Sequence, residues 1–126
     1  MLKNNPPIFI YALINPVTNT VFYVGATSNI KKRLSLHKSG RYISKTYKSI
    51  QIRNILEAGM EVETLELDVC YGNDIDIRFQ EEFYIQLFRS WGFYLPQLSS
   101  SKYSRYLSND LYFRIKHFNS IENAIN

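Results

Sequence analysis

The sequence is poor in several residue types, and each shortage excludes a class of protein. Its one cysteine, Cys70, excludes an intramolecular disulfide and a cysteine-based zinc cluster. The few glycines and histidines form neither a glycine-rich phosphate loop nor a paired-histidine zinc motif, and no Ser-His-Asp spacing is present. No stretch approaches the run of about 20 apolar residues that crosses a membrane. We therefore expect a soluble protein. Because Cys70 has neither a disulfide partner nor a zinc cluster to join, we expect it to be a core residue.

The length of 126 residues fits a single domain with one core. The first seven residues contain a lysine but lack the apolar segment of a secretory signal. We therefore expect an intracellular, cytoplasmic location.

Acidic residues are missing from the first 56 residues, which contain nine lysines and arginines. Eight of the nine lie in one segment, at Lys31, Lys32, Arg33, Lys38, Arg41, Lys45, Lys48 and Arg53. Such a segment projects a positive field, for which a polyanion is the natural partner. For the charge run alone, a solvated basic surface without a specific partner is an equally good interpretation.

Two runs of β-branched and aromatic residues, 8–14 and 21–26, flank a cluster of turn formers and predict a β-hairpin. A turn centred on Val17 would pair Tyr11 with Tyr23. It would also pair Ile10 with Val24, and Ala12 with Phe22. Alternation then gives one core face, formed by Ile8, Ile10, Ala12, Ile14, Phe22 and Val24. Both tyrosines lie together on the opposite face.

The residues after the hairpin have apolar side chains at helical spacing. Residues 30–38 have an apolar stripe of Ile30 and Leu34, with Ser28 or Asn29 as cap and Gly40 beyond the end. Arg33 and His37 are four residues apart and share one flank. A second helix is predicted over residues 47–58, with Ile52, Ile55 and Leu56 inward. Residues 61–70 predict a third strand.

A longer helix is predicted over residues 74–91, capped by Asn73 or Asp74 and ended by Gly92. Its wide apolar arc includes Ile85 and Phe88. Glu82 is expected on the solvated side. Glu81 falls within the apolar arc, where a carboxylate needs a partner, either a basic side chain or a functional group.

Chemically distinctive residues recur at constrained separations. In order they are Phe9-Ile10-Tyr11, Phe22-Tyr23-Val24-Gly25, Arg33 eight residues after that glycine, His37 four further on, and Glu81-x-x-x-Ile85. Together these residues resemble the signature of the GIY-YIG nucleases, over about residues 8–97. Two positions depart from it: Phe9 replaces the first glycine, and Gln97 is the nearest amide to the asparagine expected after the glutamate helix.

The resemblance implies an α+β fold, a small three-stranded antiparallel sheet flanked by helices, with one divalent cation, Mg²⁺ or Mn²⁺, at Glu81. It implies a one-metal endonuclease that hydrolyses DNA phosphodiesters. Tyr11 and Tyr23 would border the scissile phosphate, and Arg33 would stabilise its developing charge. We favour Tyr11 as general base, with His37 assisting and Tyr23 orienting.

DNA is thus the expected partner, with no membrane, no small-molecule cofactor and a monomeric or weakly dimeric chain. The residues expected to contact nucleic acid are Lys31, Lys32, Arg41, Lys45, Lys48 and Arg53. Residues 1–97 would form the nuclease domain. Residues 98–126 would form a C-terminal extension with a short helix capped by Ser108, either part of the same compact unit or a small DNA-contacting appendage.

Two other interpretations come from different classes. In one, the fold is a noncatalytic nucleic-acid-binding module that uses its basic and aromatic side chains without cutting. In the other, the tyrosines and Glu81 only complete the core of a structural protein. The presence of all five side chains expected to be catalytic favours the nuclease. They are Tyr11, Tyr23, Arg33, His37 and Glu81.

Overall fold

The computed structural model describes residues 6–97. The strands are β1 (Ile8–Asn15), β2 (Thr20–Thr27) and β3 (Glu63–Cys70), and the helices are α1 (Ile30–Ser39), α2 (Tyr47–Glu57) and α3 (Asp74–Ser90). Each predicted element of this part is present, with ends that differ from the prediction by at most two residues. The predicted C-terminal extension, residues 98–126, lies outside the described residues.

The three strands form one antiparallel sheet in the order β2-β1-β3. This confirms the predicted α+β architecture. The hairpin turns at Asn19, whose φ of 54° is in the left-handed region that asparagine tolerates. As the central strand, β1 is hydrogen-bonded along both edges. Its side chains alternate between the two faces of the sheet, and helices can cover each face.

The predicted hairpin register is wrong by two residues. Tyr11 lies opposite Gly25 rather than Tyr23, and Ala12 lies opposite Val24 rather than Phe22. The turn is centred between Val17 and Thr18, which shifts the pairing by one residue. A bulge opposite the Leu13/Ile14 step shifts it by one more.

These two shifts have different consequences for the faces of the sheet. A slip of one residue reverses every side chain, whereas a slip of two restores the original face. Tyr11 and Tyr23 therefore remain on the same face, as predicted. Phe22, the extra residue of the bulge, packs in one cluster with Tyr11 and Leu13 and not on the predicted face.

Each face of the sheet has its own hydrophobic cluster. One joins the strands to α3, and its fully buried members include Ile10, Ala12, Val24 and Ile85. It also contains Cys70, as predicted. The other joins the strands to α1 and α2 and contains Tyr11, Leu13, Phe22, Ile52, Ile55 and Val62. The sheet thus holds α3 on one side and the two shorter helices on the other.

Polar caps fix where the helices begin. Asn29 accepts a hydrogen bond from the Lys32 amide at 3.0 Å and starts α1. Asn73 and Asp76 form a reciprocal capping box at the start of α3. These caps fix the first residues of α1, which contains Arg33 and His37, and of α3, which contains Glu81.

The prediction that Glu82 is solvated is wrong, because this side chain is buried with 6% exposure. Its carboxylate accepts a hydrogen bond of 2.8 Å from Gln86, on the same flank of α3. Arg89, one turn further, donates to the carbonyl oxygens of Leu95 and Gln97. The segment after Gly92 is therefore tied back to this flank, which the helical pattern alone did not reveal.

None of the helices within residues 6–97 has the length and apolar composition that a membrane span requires.

Candidate active site

Tyr11 and Tyr23 meet on the face of the sheet covered by α1 and α2. Their ring centroids are 6.2 Å apart, with the planes tilted by 51°. Tyr11 is almost fully buried, at 1% exposure, whereas Tyr23 is half-buried. Tyr23 therefore forms the more accessible side of the pair.

Gly25 makes room for the Tyr11 ring. A Cβ atom at this position would lie 2.6 Å from the Tyr11 hydroxyl oxygen and 2.7 Å from Cζ, well inside van der Waals contact. The buried Tyr11 ring has little space in which to move. The glycine of the Tyr23-Val24-Gly25 sequence is thus needed for the close approach of a side chain.

The last turn of α1 brings His37 to the tyrosines. Its Nε2 atom lies 2.8 Å from the Tyr11 hydroxyl, and its ring packs edge-on against Tyr23 with centroids 5.3 Å apart. Burial, together with the charges of Lys48 and Arg33, lowers the pKa of His37 to about 4. The imidazole is therefore neutral at neutral pH. In the tautomer with its hydrogen on Nδ1, Nε2 accepts a hydrogen bond from the Tyr11 hydroxyl.

Both tyrosines are neutral phenols at neutral pH. Burial raises the pKa of Tyr11, and the neighbouring Tyr23 and Glu81 raise it further. Burial and Glu81 raise the pKa of Tyr23 in the same way. Arg33 opposes the increase at both tyrosines without reversing it. A proton that reached Tyr11 would therefore have to pass onward, and His37 is the adjacent acceptor.

Two cations lie beside the tyrosines. Arg33 is an exposed residue of α1, one helical turn before His37. Lys48 projects from α2, with Nζ 4.9 Å from the centroid of the Tyr23 ring. Burial and the charge of Arg33 lower the pKa of Lys48. The predictions placed Lys48 among general phosphate contacts, because no sequence spacing relates the start of α2 to the hairpin.

Glu81 supplies the carboxylate. It is half-buried on α3, and its charge acts on both tyrosines. Burial raises its pKa, Arg78 opposes this increase, and Glu82 adds to it. The only ion pair found among residues 6–97 joins Lys38 to Glu61. Within this part of the chain, Glu81 forms no ion pair with a lysine or arginine, although the charge of Arg78 acts on its carboxylate.

The residues of this site lie within a region that matches a known protein family. The model of the GIY-YIG catalytic domain matches residues 7–94, which include both tyrosines, Arg33, His37 and Glu81. The chain belongs to the GIY-YIG family. No curated protein and no solved structure matches it. Membership places the chain in a nuclease family.

GIY-YIG nucleases generally depend on a divalent metal ion. Residues 6–97 contain no group of three or more His, Cys, Asp or Glu side chains that could enclose an ion. The donor set at this site is instead the single carboxylate of Glu81. One carboxylate, with waters completing an octahedron, is a common way to hold Mg²⁺. The residues therefore fit a hard divalent cation and do not fit a dedicated zinc or calcium cage.

The two departures from the GIY-YIG signature have structural explanations. Phe9, in place of the first glycine, is an ordinary position of β1 that pairs with Thr27 and Val69. Gln97 uses its side-chain amide to pair with Val24, accepting from the backbone N–H at 2.9 Å and donating to the carbonyl oxygen at 2.7 Å. It thereby fastens the segment after α3 to β2, next to Tyr23.

The six basic residues predicted to contact nucleic acid fall into three environments. Lys31, Lys32 and Lys45 are exposed. Arg41 and Arg53 are half-buried, with their guanidinium groups 4.8 Å and 5.8 Å from the Tyr42 ring centroid. Lys48 lies at the tyrosines. The basic segment is thus divided between the active-site region and the surface around it.

Proposed function

We propose that this GIY-YIG domain is an endonuclease that hydrolyses DNA phosphodiester bonds with one Mg²⁺ or Mn²⁺ ion at Glu81. The observation that carries the proposal is the 2.8 Å hydrogen bond between Tyr11 and His37, beside Tyr23 and within the field of Arg33 and Glu81. A structural core has no need for a proton acceptor, a guanidinium and a carboxylate at one tyrosine pair. Phosphodiester hydrolysis needs all three functions.

Tyr11 and His37 form the proposed proton path. The attacking water gives a proton to the Tyr11 oxygen as the Tyr11 proton moves to Nε2 of His37. This relay avoids a tyrosinate, which the raised pKa of Tyr11 disfavours. It requires a neutral imidazole, which the lowered pKa of His37 provides before the reaction. The anionic phosphate, once bound, would offset the charges of Lys48 and Arg33 and so make the imidazolium that forms less unfavourable. Tyr23 orients the water and phosphate from the other side.

Arg33 and Glu81 perform the proposed charge stabilisation. The Arg33 guanidinium is exposed on the flank of α1 that carries His37. It would neutralise the negative charge that grows on the phosphorane oxygens. Glu81 would hold the cation, which, when bound, acts as a Lewis acid toward phosphate oxygens. One such site per chain cuts one strand in each binding event.

The exposed Lys31, Lys32 and Lys45 are proposed to contact flanking phosphates. Contacts of this kind position DNA without reading its sequence and make binding sensitive to salt. Arg41 and Arg53 are proposed to act in the same way from their places beside Tyr42.

Nicking of supercoiled plasmid tests the proposal, with wild type, Glu81→Gln and Glu82→Gln compared in Mg²⁺, Mn²⁺ and EDTA. We expect metal-dependent nicking that falls by about 100-fold or more in Glu81→Gln. Glu82→Gln is the matched control, since it removes the neighbouring charge but keeps a polar partner for Gln86. Its activity should remain near that of wild type.

Two results would contradict the proposal. If plasmid, branched and single-stranded DNA all stay intact while salt-sensitive binding persists, the chain is a noncatalytic nucleic-acid-binding module. If Glu81→Gln and Glu82→Gln lost nicking activity equally while both were folded by circular dichroism, Glu81 would not be the metal ligand.

A further inference from the structure

Lys48 differs from every other lysine of the basic segment in its surroundings. It is half-buried, and its ammonium group lies 4.9 Å from the centroid of the Tyr23 ring. Lys31, Lys32 and Lys45 are exposed, and Lys38 is paired with Glu61 at 2.9 Å. Lys48 is therefore the lysine that faces the tyrosines.

The charge of Lys48 is not neutralised by a carboxylate in the described part of the chain. Lys48 takes part in no ion pair among residues 6–97. The charged group that acts on it most clearly is Arg33, which has the same sign. Lys48 is partly desolvated, and holding the charge of Arg33 near it is unfavourable unless an anion joins them.

The aliphatic stem of Lys48 offers a simpler explanation of why this residue lies against Tyr23. A lysine stem can cover an aromatic ring while its ammonium reaches water, so the contact with Tyr23 alone would fit a packing role. The like-charged Arg33 is not explained by packing, because an uncharged side chain of similar length would cover the ring without repulsion.

We propose that Lys48 is a second cation of the active site, whose ammonium group binds the scissile phosphate from the Tyr23 side together with Arg33. This inference rests on the proposed nuclease function and deepens it. Lys48 would touch the reacting group and stabilise the charge that develops there. Lys45, three residues earlier and exposed, would contact only flanking phosphates.

This difference predicts separate kinetic signatures. In Lys48→Met, kcat should fall by about tenfold or more, because a charge that is needed most in the transition state has been removed. In Lys45→Met, KM should rise and the salt dependence of binding should weaken, with kcat nearly unchanged. Lys48→Arg should recover part of kcat, since it restores the cation with different geometry.

The kinetic experiment uses a labelled DNA duplex with Mg²⁺ and the wild type, Lys48→Met, Lys48→Arg and Lys45→Met proteins. DNA affinity is measured separately by fluorescence anisotropy in EDTA, and thermal unfolding confirms that each variant is folded. A kcat loss restricted to Lys48→Met with partial recovery in Lys48→Arg supports the inference. Equal kinetic effects at Lys45 and Lys48, or unchanged kcat in Lys48→Met, would overturn it.

A second measurement does not depend on nuclease activity. Inorganic phosphate is added to the wild type and Lys48→Met proteins, and NMR follows the Tyr23 ring and the lysine ammonium signals. Saturable shifts at Tyr23 and Lys48 in the wild type, with the Tyr23 shift lost in Lys48→Met, would support the phosphate site even if no DNA were cut. Absence of shifts in the wild type would reject Lys48 as a phosphate ligand, whatever the outcome for cleavage.

Discussion

The two faces of the sheet are both covered by helices, but they bury different chemistry. Beneath α3, the cluster that includes Ile10, Ala12, Val24 and Ile85 is apolar apart from the thiol of Cys70. Beneath α1 and α2, Tyr11 belongs to the cluster and His37 is buried against it. The second face can bury polar groups because each satisfies the other. No buried side-chain polar atom of the described residues lacks a hydrogen bond.

This comparison teaches how one strand can serve stability and chemistry at once. Successive residues of β1 point to opposite faces. Ile10 therefore enters the apolar cluster, while the next residue, Tyr11, enters the proposed site. Substitutions at adjacent positions should separate the two roles.

The largest effect is expected for Tyr11→Phe, measured as nicking activity. The phenyl ring still fills the space beside Gly25, but the proton path to His37 is broken. We expect kcat to fall by about 100-fold or more, the usual contribution of a positioned proton-transfer group. Stability should fall by only about 1–3 kcal/mol, because Nε2 of His37 loses its partner. Activity close to wild type would mean that Tyr11 only completes the core.

Ile10→Ala should have the opposite profile, measured by urea unfolding and by kcat below the unfolding transition. Ile10 is fully buried, so its truncation should cost about 2–5 kcal/mol of unfolding free energy. The kcat of the folded fraction should stay within about threefold of wild type. If the protein unfolds, Ile10→Val, at a cost of about 0.5–1.5 kcal/mol, provides the same test. A parallel loss of kcat would show that the faces are not independent.

The fold could be predicted because its signals are local. Runs of β-branched and aromatic residues identified β1 and β2, and the caps at Asn29 and Asn73 marked the starts of α1 and α3 within one residue. The register failed because the turn was taken as centred on Val17 and the bulge at Phe22 has no sequence signal. The faces of the tyrosines were still correct, since the two errors shifted the pairing by an even number of residues.

The proposed site was predictable where spacing within one element determines it. Arg33 and His37 share a flank of α1, and that follows from their separation of one helical turn. The burial of Glu82 and the contact of Lys48 with Tyr23 could not be predicted, because both depend on tertiary packing. Lys48 reaches Tyr23 from another helix, and the flank of Glu82 is tied to a segment after Gly92. Neither relation leaves a periodic pattern.

The pH dependence of stability gives the smallest effect, and it tests the polar face alone. The pKa of His37 falls from the ordinary value of 6.5 to about 4 in the folded protein. The unfolded chain therefore binds a proton that the folded chain rejects, so stability is lost as pH falls from about 6.5 to about 4. The loss should be at most about 3 kcal/mol and should not increase below the folded pKa.

The measurement compares urea unfolding of wild type and His37→Gln from about pH 7 down to about pH 4. Carboxylates also titrate in this range. One is Glu81, whose raised pKa makes the folded protein more stable as the pH falls, opposite to the effect of His37. Subtracting the two curves cancels their common part. Wild type should lose more stability than His37→Gln as the pH falls, because glutamine can bond to Tyr11 but does not titrate. Parallel curves would show that His37 binds a proton as readily in the folded chain as in the unfolded one. The lowered pKa assigned to His37 would then be wrong.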